Sequence, residues 1–583
     1  MTAPVTDAAD WRRSIAAAGL LRDFNDAGVL ESSDVLVAQR ITSLAKEDDE
    51  RVALAIAFAV RAVRGGSVCV DLATVREQVG AAEDLPWPEP DAWSAAVAAS
   101  ALTADPPVLH LDGGLLYLDR YWIEECRVAQ DVLALAAVHR GGATPDIARL
   151  FPDGYDEQRG AAHLALSRAL TVLTGGPGTG KTTTVARLLA LLAEQAELDG
   201  RGALRIALAA PTGKAAARLL EAVRAEVSKL EPADQARLPE LTATTMHRLL
   251  GSRPDSSSRF RHNRDNRLPH DVIVIDETSM VSLTMMARLL EAVRPDSRLI
   301  LVGDPDQLAS VEAGAVLADL VEGLAAATPT SDSPIARLLT SHRFGASIGA
   351  LAAAIRDGDA DVALEVLAAG GDHVEWVDTE QPAAILRKVL VPHALALREA
   401  AILGDGRAAL ATLEEHRMLC AHRRGPYGVA YWNRQVERWL SEQTDTPLWA
   451  AWYVGRPLLV TANDYGLGLY NGDTGIAVLR DGGLRAVISA SSGPVELATS
   501  RLADIETMHA MTIHKSQGSQ AGEVTVLLPP TDSRLLTREL LYTAVTRARR
   551  KVRLIGSADQ VRAAIERRAA RATGLSRRLR GAT

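Results

Sequence analysis

The chain has 583 residues, 47% of them hydrophobic and 23% charged, the balance of an ordinary globular protein with material for about three or four domains. A formal net charge of −9 excludes a protein coated in positive potential, but it leaves room for a local basic groove. No apolar run approaches the ~18 residues of a membrane span. Cys69, Cys126 and Cys420 stand too far apart for a C-x-x-C metal site or a disulfide framework.

The start, MTAPVTDAADWRR, lacks a basic stretch followed by an apolar core, so no secretion signal is expected and the cytoplasm is the default compartment. Apolar residues at three- and four-residue spacing predict helices over 11–24, 33–44 and 51–63. A PWPEP loop at 86–90 and a β-like segment over 108–118, turned at Asp112-Gly113-Gly114, follow. From about residue 145 strands alternate with helices, which implies a parallel sheet with candidate strands 170–173, 205–209, 272–275 and 299–302. Ser331-Asp332-Ser333-Pro334 marks a boundary, and helical pattern resumes to about residue 440. Residues 449–502 then turn β-rich, predicting a compact barrel-like insertion, before 524–528 and 552–555 return as strands of a second parallel sheet. Five arginines over 253–267 and twelve Lys/Arg over 545–580 each read as a nucleic-acid groove or a solvated face. Residues 562–583 read as a frayed basic tail.

Chemistry concentrates in TVLTGGPGTGKTTT, residues 171–184. An apolar strand runs into Gly175-Gly176-Pro177-Gly178-Thr179-Gly180-Lys181-Thr182, with Thr183 following on the helix, which is the G-x-x-x-x-G-K-[ST] phosphate loop in strand–loop–helix context. Its glycines let backbone N–H groups turn inward on a phosphate at the positive end of a helix. Lys181 can reach the β- and γ-phosphates of ATP, and the Thr182 hydroxyl can ligate Mg²⁺. A second element, HDVIVIDETSM (270–280), delivers Asp276 and Glu277 to the end of a strand. Asp276 is the candidate Mg²⁺ holder and Glu277 the candidate to activate the attacking water.

Around these two lie APTGKAA (210–216), TMHRLLG (245–251), LVGDPDQLASV (301–311), LLTSHRF (338–344), TIHKSQG (512–518) and LLYTAVTRAR (540–549). In this order the set resembles the motif series of superfamily 1 helicases, within them the 5′→3′ branch and its RecD family, over residues 154 to 555. The resemblance implies two RecA-like P-loop domains of α/β fold acting as an ATP-dependent 5′→3′ DNA helicase in double-strand break repair. It implies that Gln158 reads adenine, that Gln307 touches the γ-phosphate, and that Arg343 and Arg547 reach it from the second domain. The plainer alternatives are a surface glutamine and surface ion pairs, and for Asp304 and Asp306 the capping of a turn.

DNA contacts are expected from Pro211, Thr212, Lys214, Thr245, His247, Thr512, His514, Lys515 and Ser516, on loops at the lip of the two sheets opposite the ATP site. Hydroxyls, amides and cations suit phosphate and sugar contacts without sequence reading. The 253–267 stretch falls where this family has a small insertion, a β-hairpin near the strand junction, so the resemblance implies DNA contact rather than a solvated face for its charge. The expected organisation is a helical partner-docking domain over 1–125, a first motor domain over 126–332 with an insertion at about 251–268, and a second over 333–583 with an SH3-like insertion at about 449–502. Implied partners are single-stranded DNA, double-stranded DNA ends, and RecB- and RecC-like subunits of a heterotrimer, with no membrane. The rival readings are a free-standing helicase of the same branch and a non-translocating ATPase scaffold.

Overall fold

A computed structural model describes residues 11–79, 84–253, 256–327, 333–340, 346–379, 381–445, 448, 450–464, 466–481, 483–490 and 493–581. The N-terminal region is helical, with a three-stranded antiparallel sheet of order β1-β3-β2 made by β1 (Cys69–Asp71), β2 (Leu109–Asp112) and β3 (Leu115–Leu118). Its helices, Gly19–Asp26, Ser32–Ala45 and Glu50–Arg64, match the periodicity, although the first starts later than expected. Phe24, Phe58 and Trp93 are fully enclosed, with Phe24 edge-on to Phe58 at 5.6 Å. Leu21 and Phe24 therefore complete a local core.

The first large sheet contains β4 (Leu170–Gly175), β5 (Ile206–Ala210), β6 (Ala243–Thr245), β9 (Val272–Ile275), β10 (Arg298–Gly303) and β11 (Ile335–Leu338) in the order β11-β4-β10-β9-β5-β6. All its pairings are parallel. A two-stranded hairpin, β7 (Ser252–Arg253) and β8 (Ser256–Phe260), stands apart. In β9 and β10 every residue is buried, because helices cover both faces of a parallel sheet. Alternation splits them: Ile273, Ile275, Leu299 and Leu301 join one core, and Val272, Val274, Ile300 and Val302 the other.

The second parallel sheet has the order β12-β21-β20-β13-β19, from β12 (Val374–Val377), β13 (His416–Cys420), β19 (Ala510–Thr512), β20 (Ala521–Leu527) and β21 (Ala548–Ile555). Between β13 and β19 comes an antiparallel sheet of order β17-β16-β15-β14-β18, built from β14 (Pro457–Val460), β15 (Thr474–Arg480), β16 (Gly483–Ala490), β17 (Gly493–Ala498) and β18 (Ile505–Thr507). No helix among the described residues is long and apolar enough to cross a membrane.

Four expectations change. Strand β11 pairs with β4, so the first sheet reaches past the boundary expected at 332. The helix Asp119–Ala136 runs through the expected 125/126 division, and its Val128, Ala129 and Val132 sit in the first motor core. The insertion is an open meander extending to Thr507; among the described residues its edge strands β17 and β18 do not pair. The basic C-terminus is not frayed: Leu575–Leu579 is a helix packed on helices Val316–Ala327 and Asp119–Ala136, with Leu575 and Leu579 buried.

That C-terminal helix is anchored by Glu125, a fully buried carboxylate. It accepts from Arg578 Nε at 2.9 Å, the Gly574 N–H at 3.0 Å and the Tyr117 hydroxyl at 3.1 Å. Upstream, the Val68 N–H donates to the Ala572 carbonyl at 2.8 Å, joining N-terminal domain and C-terminus. A Glu125→Ala exchange leaves the half-buried Arg578 guanidinium with Asp112 as its remaining acid and strips the Gly574 N–H and the Tyr117 hydroxyl of their acceptor, and should lower stability by about 1–3 kcal/mol. Thermal denaturation with limited proteolysis at 568–581 tests this; an unchanged midpoint and an uncut C-terminus would contradict the anchoring role.

Candidate nucleotide site between the two sheets

The phosphate loop follows directly from β4. Gly178 and Gly180 have φ of +83° and +82°, which glycine adopts without penalty. At Gly175 a Cβ would lie 2.7 Å from the Leu338 carbonyl oxygen and 2.5 Å from Thr179 Oγ1, so the neighbouring strand β11 demands glycine there. The helix Lys181–Leu198 then starts at Gly180. Lys181 Nζ donates to the carbonyls of Gly175 at 2.6 Å and Gly176 at 2.9 Å, lying along the loop it would share with a phosphate.

A cavity of about 640 Å³ opens beside this loop and is lined from both sheets. The first contributes Gln158, Pro177, Gly178, Gly180, Lys181, Thr182, Thr183, Asp276, Glu277 and Gln307; the second contributes Gly518, Gln520 and Arg547. Asp276 and Glu277 follow β9. Burial, then the like charge of Glu277, pushes the Asp276 carboxyl up to about 6. Glu277 holds a left-handed φ of +50°, a conformation that costs a non-glycine residue free energy.

Across the cavity a buried relay joins the sheets. Arg547 Nη2 donates to Gln307 Oε1 at 2.7 Å, and Gln307 Nε2 donates to Asp304 Oδ2 at 2.8 Å. The Tyr542 hydroxyl donates to the same Asp304 oxygen at 3.1 Å. Asp304 does cap the turn, accepting the Asp306 N–H at 3.2 Å, but its other oxygen serves the interface. Burial raises the Asp304 carboxyl and pulls the Arg547 guanidinium down.

Residues missed by sequence reasoning complete the cavity: Phe151, Tyr155, Arg187 and Arg218. Arg187 lies over the Tyr155 ring at 5.2 Å and the Phe151 ring at 5.7 Å. The FPDGY run ahead of Gln158 was the available signal for the two rings. Gln158 is buried, 5% exposed, rather than a surface glutamine. Arg343 lies outside the described residues.

The expected DNA residues divide. In the first sheet Pro211 and Thr212 follow β5, and Thr245 ends β6; both strands run parallel to their neighbours, so these loops share the edge that carries the phosphate loop. The expected opposite lip is thus wrong for this sheet, because a parallel sheet puts all its strand C-termini on one edge. The second sheet has the two sets on different edges. Thr512 ends β19, level with Cys420 and Leu527, whereas Gln520 and Arg547 precede β20 and β21 at the other edge.

Their hydroxyls serve the backbone: Thr212, Thr245 and Thr512 accept the N–H groups of Ala215, Arg248 and Lys515, and the Ser516 hydroxyl donates to the Ile513 carbonyl. Lys515 pairs with Glu506 at 3.0 Å. His247 meets Phe260 edge-on at 5.8 Å, and burial pulls both His247 and His514 down. Lys214 is enclosed beneath the insertion, 3.4 Å from Thr474 Oγ1, and burial pulls its ammonium down to about 7. In the 253–267 stretch Arg264 pairs with Asp131 at 2.8 Å, and Arg267 donates to the Val293 carbonyl; part of this charge is structural.

This fold and cavity define a P-loop ATPase of two RecA-like domains. Family models match the RecBCD enzyme subunit RecD N-terminal domain over residues 26–117, an AAA domain over 158–313 and a UvrD-like helicase C-terminal domain over 507–555. The chain is 70% identical to RecBCD enzyme subunit RecD of Mycolicibacterium smegmatis, over 95% of this chain and 98% of that protein. Identity to RecBCD enzyme subunit RecD of Haemophilus influenzae is 32%, over 80% of each chain. Identity to the ATP-dependent RecD2 DNA helicase of Deinococcus radiodurans is 35%, over 73% of this chain and 52% of that protein. The chain belongs to the RecD family.

A Gly175→Ala exchange tests the loop geometry. The added methyl must displace strand β11 or Thr179, so stability should fall by about 1–3 kcal/mol and binding of a fluorescent ATP analogue should weaken. Unchanged melting and binding would mean that strand and loop part freely.

Proposed function

We propose that the chain is the 5′→3′ motor of a RecBCD-type complex, hydrolysing ATP between its two domains to move along single-stranded DNA from double-stranded ends. The observation that carries this reading is the single cavity lined by a phosphate loop, an acidic pair and an arginine from the facing domain. Lys181 exchanges its two loop carbonyls for the β- and γ-phosphates, with the loop N–H groups of 175–183 around them. Gln158 reads the base edge. Thr182 and Asp276 would hold Mg²⁺, which supplies neutralising charge. The raised Asp276 carboxyl fits that role, since a cation beside it relieves the repulsion from Glu277.

Glu277 orients the attacking water and accepts its proton. Gln307, Arg547 and Arg343 meet the charge that grows on the transferred phosphoryl oxygens. Because Arg547 belongs to the second domain, a γ-phosphate draws the two domains together, and its loss lets them part. DNA threads past 211–214, 245–247 and 512–516, where the two domains present loops side by side. Kinship with RecBCD enzyme subunit RecD supports the polarity, and assembly with RecB- and RecC-like subunits in cytoplasmic double-strand break repair. The match at 26–117 to the RecD N-terminal domain favours the complex over a free-standing helicase.

Hydrolysis by the full chain, with and without single-stranded DNA, tests this. Lys181→Ala should abolish turnover in a protein with wild-type melting; DNA-stimulated turnover in that variant would sink the assignment. Arg547→Ala should lower kcat by on the order of 10³ while ATP affinity changes far less, as an interaction made in the transition state requires. Equal losses of affinity and rate would assign Arg547 to ground-state binding.

A further inference from the structure

Arg218 sits one helical turn beyond Lys214 on the helix Gly213–Val227, whose first residues belong to the candidate DNA loop of the first domain. Residues four apart share a helix face, so the face that begins at that loop continues to Arg218. There the side chain lines the nucleotide cavity together with Asp276 and Glu277. Its Nη1 donates to the carbonyl of Gly518, two residues beyond Ser516 in the candidate DNA loop of the second domain. Among the described residues this is its one hydrogen bond, leaving other donors of a five-donor group for the cavity.

Gly518 itself packs beside this helix. Its φ is +69°, and a Cβ there would lie in ordinary van der Waals contact with Ala215 at 3.5 Å. The helix Gly213–Val227 therefore lies directly against the second domain at this point. Arg218 is thus the place where the roots of two DNA loops, one from each domain, meet beside the acidic pair. Burial pulls its guanidinium down, while Glu277 and Asp276 oppose that, so its charge is felt at both carboxylates.

We propose that Arg218 is a positioning residue that couples DNA occupancy to ATP hydrolysis. With DNA across both loops, the helix Gly213–Val227 and the 512–518 segment are held in register. Arg218 then stays bound to Gly518 with its charge beside Glu277, which holds that carboxylate oriented toward the attacking water. Without DNA the two roots separate independently, and the guanidinium leaves the acidic pair. This rests on the motor reading above.

The experiment uses the full-length chain as wild type, Arg218→Ala and Arg218→Lys, with Lys181→Ala as control. Turnover is measured against ATP concentration with and without oligo-dT, ATP binding with a fluorescent analogue, and DNA binding by anisotropy. For Arg218→Ala the ratio of DNA-stimulated to basal kcat should fall by about tenfold or more, while KM for ATP and DNA affinity stay within about threefold. Arg218→Lys, which keeps a cation but loses the planar fork, should recover part of that ratio. An unchanged ratio in Arg218→Ala overturns the proposal. So does a KM rising in step with the fall in kcat, which would make Arg218 a ground-state nucleotide ligand. If Arg218→Ala does not fold, Arg218→Lys decides alone: a reduced ratio at unchanged KM supports coupling, and wild-type behaviour overturns it. A wild-type chain without DNA-stimulated turnover that Lys181→Ala removes would defeat the motor reading itself, whatever Arg218 does.

Discussion

A buried guanidinium with its main partner on another domain governs this molecule. Arg547 is 4% exposed, and a charge taken out of water must find hydrogen bonds or lose its place. It finds Gln307 across the interface and the Thr543 carbonyl on its own side, within the field of Glu277 and Asp304. At this point the interface is therefore polar and hydrogen-bonded. A phosphate arriving in the cavity offers Arg547 and Lys181 a stronger acceptor than an amide or a carbonyl oxygen. In the proposed cycle, exchange of these partners turns a local charge event into movement of one domain against the other.

The rest of the chain limits that movement. After β21 it returns to the first domain, where Arg571 donates to the carbonyls of Ser310 and Glu312, in the loop that follows Gln307. The helix Leu575–Leu579 then locks into the first motor core, and Arg577 and Arg578 hold the β2–β3 turn of the N-terminal domain. Second domain, first domain and N-terminal domain are tied by one short segment. The N-terminal region is thus bonded to the motor. Trp11, Ile15, Leu36 and Leu44 remain exposed on it.

Much of the architecture was legible because parallel strands announce themselves. VIVI and RLILVG are apolar on both faces, and turn residues bound them. The phosphate loop and acidic pair were legible because each needs particular residue types at fixed spacing next to a strand. Arg218 was not legible, since an arginine within a helix carries no local mark of what it will face. The basic C-terminus misled for a related reason. Arg550, Lys551, Arg553, Arg562, Arg578 and Arg580 are paired with acids distant in sequence, which a charge run by itself does not reveal.

Taken alone, the sequence determined the element types, the two-sheet plan, the nucleotide chemistry and, through its motif order, the helicase branch. These depend on short-range patterns: hydrophobic period, glycine placement, and a lysine at fixed distance from a strand. Tertiary structure decided which edge of each sheet carries which loops, where the first sheet ends, and that the C-terminal helix belongs to the first domain. It also decided that Arg547, Gln307, Asp304 and Tyr542 form one relay across the cavity. Those outcomes depend on strand order and on burial between distant segments, and neither is set by any residue's neighbours along the chain.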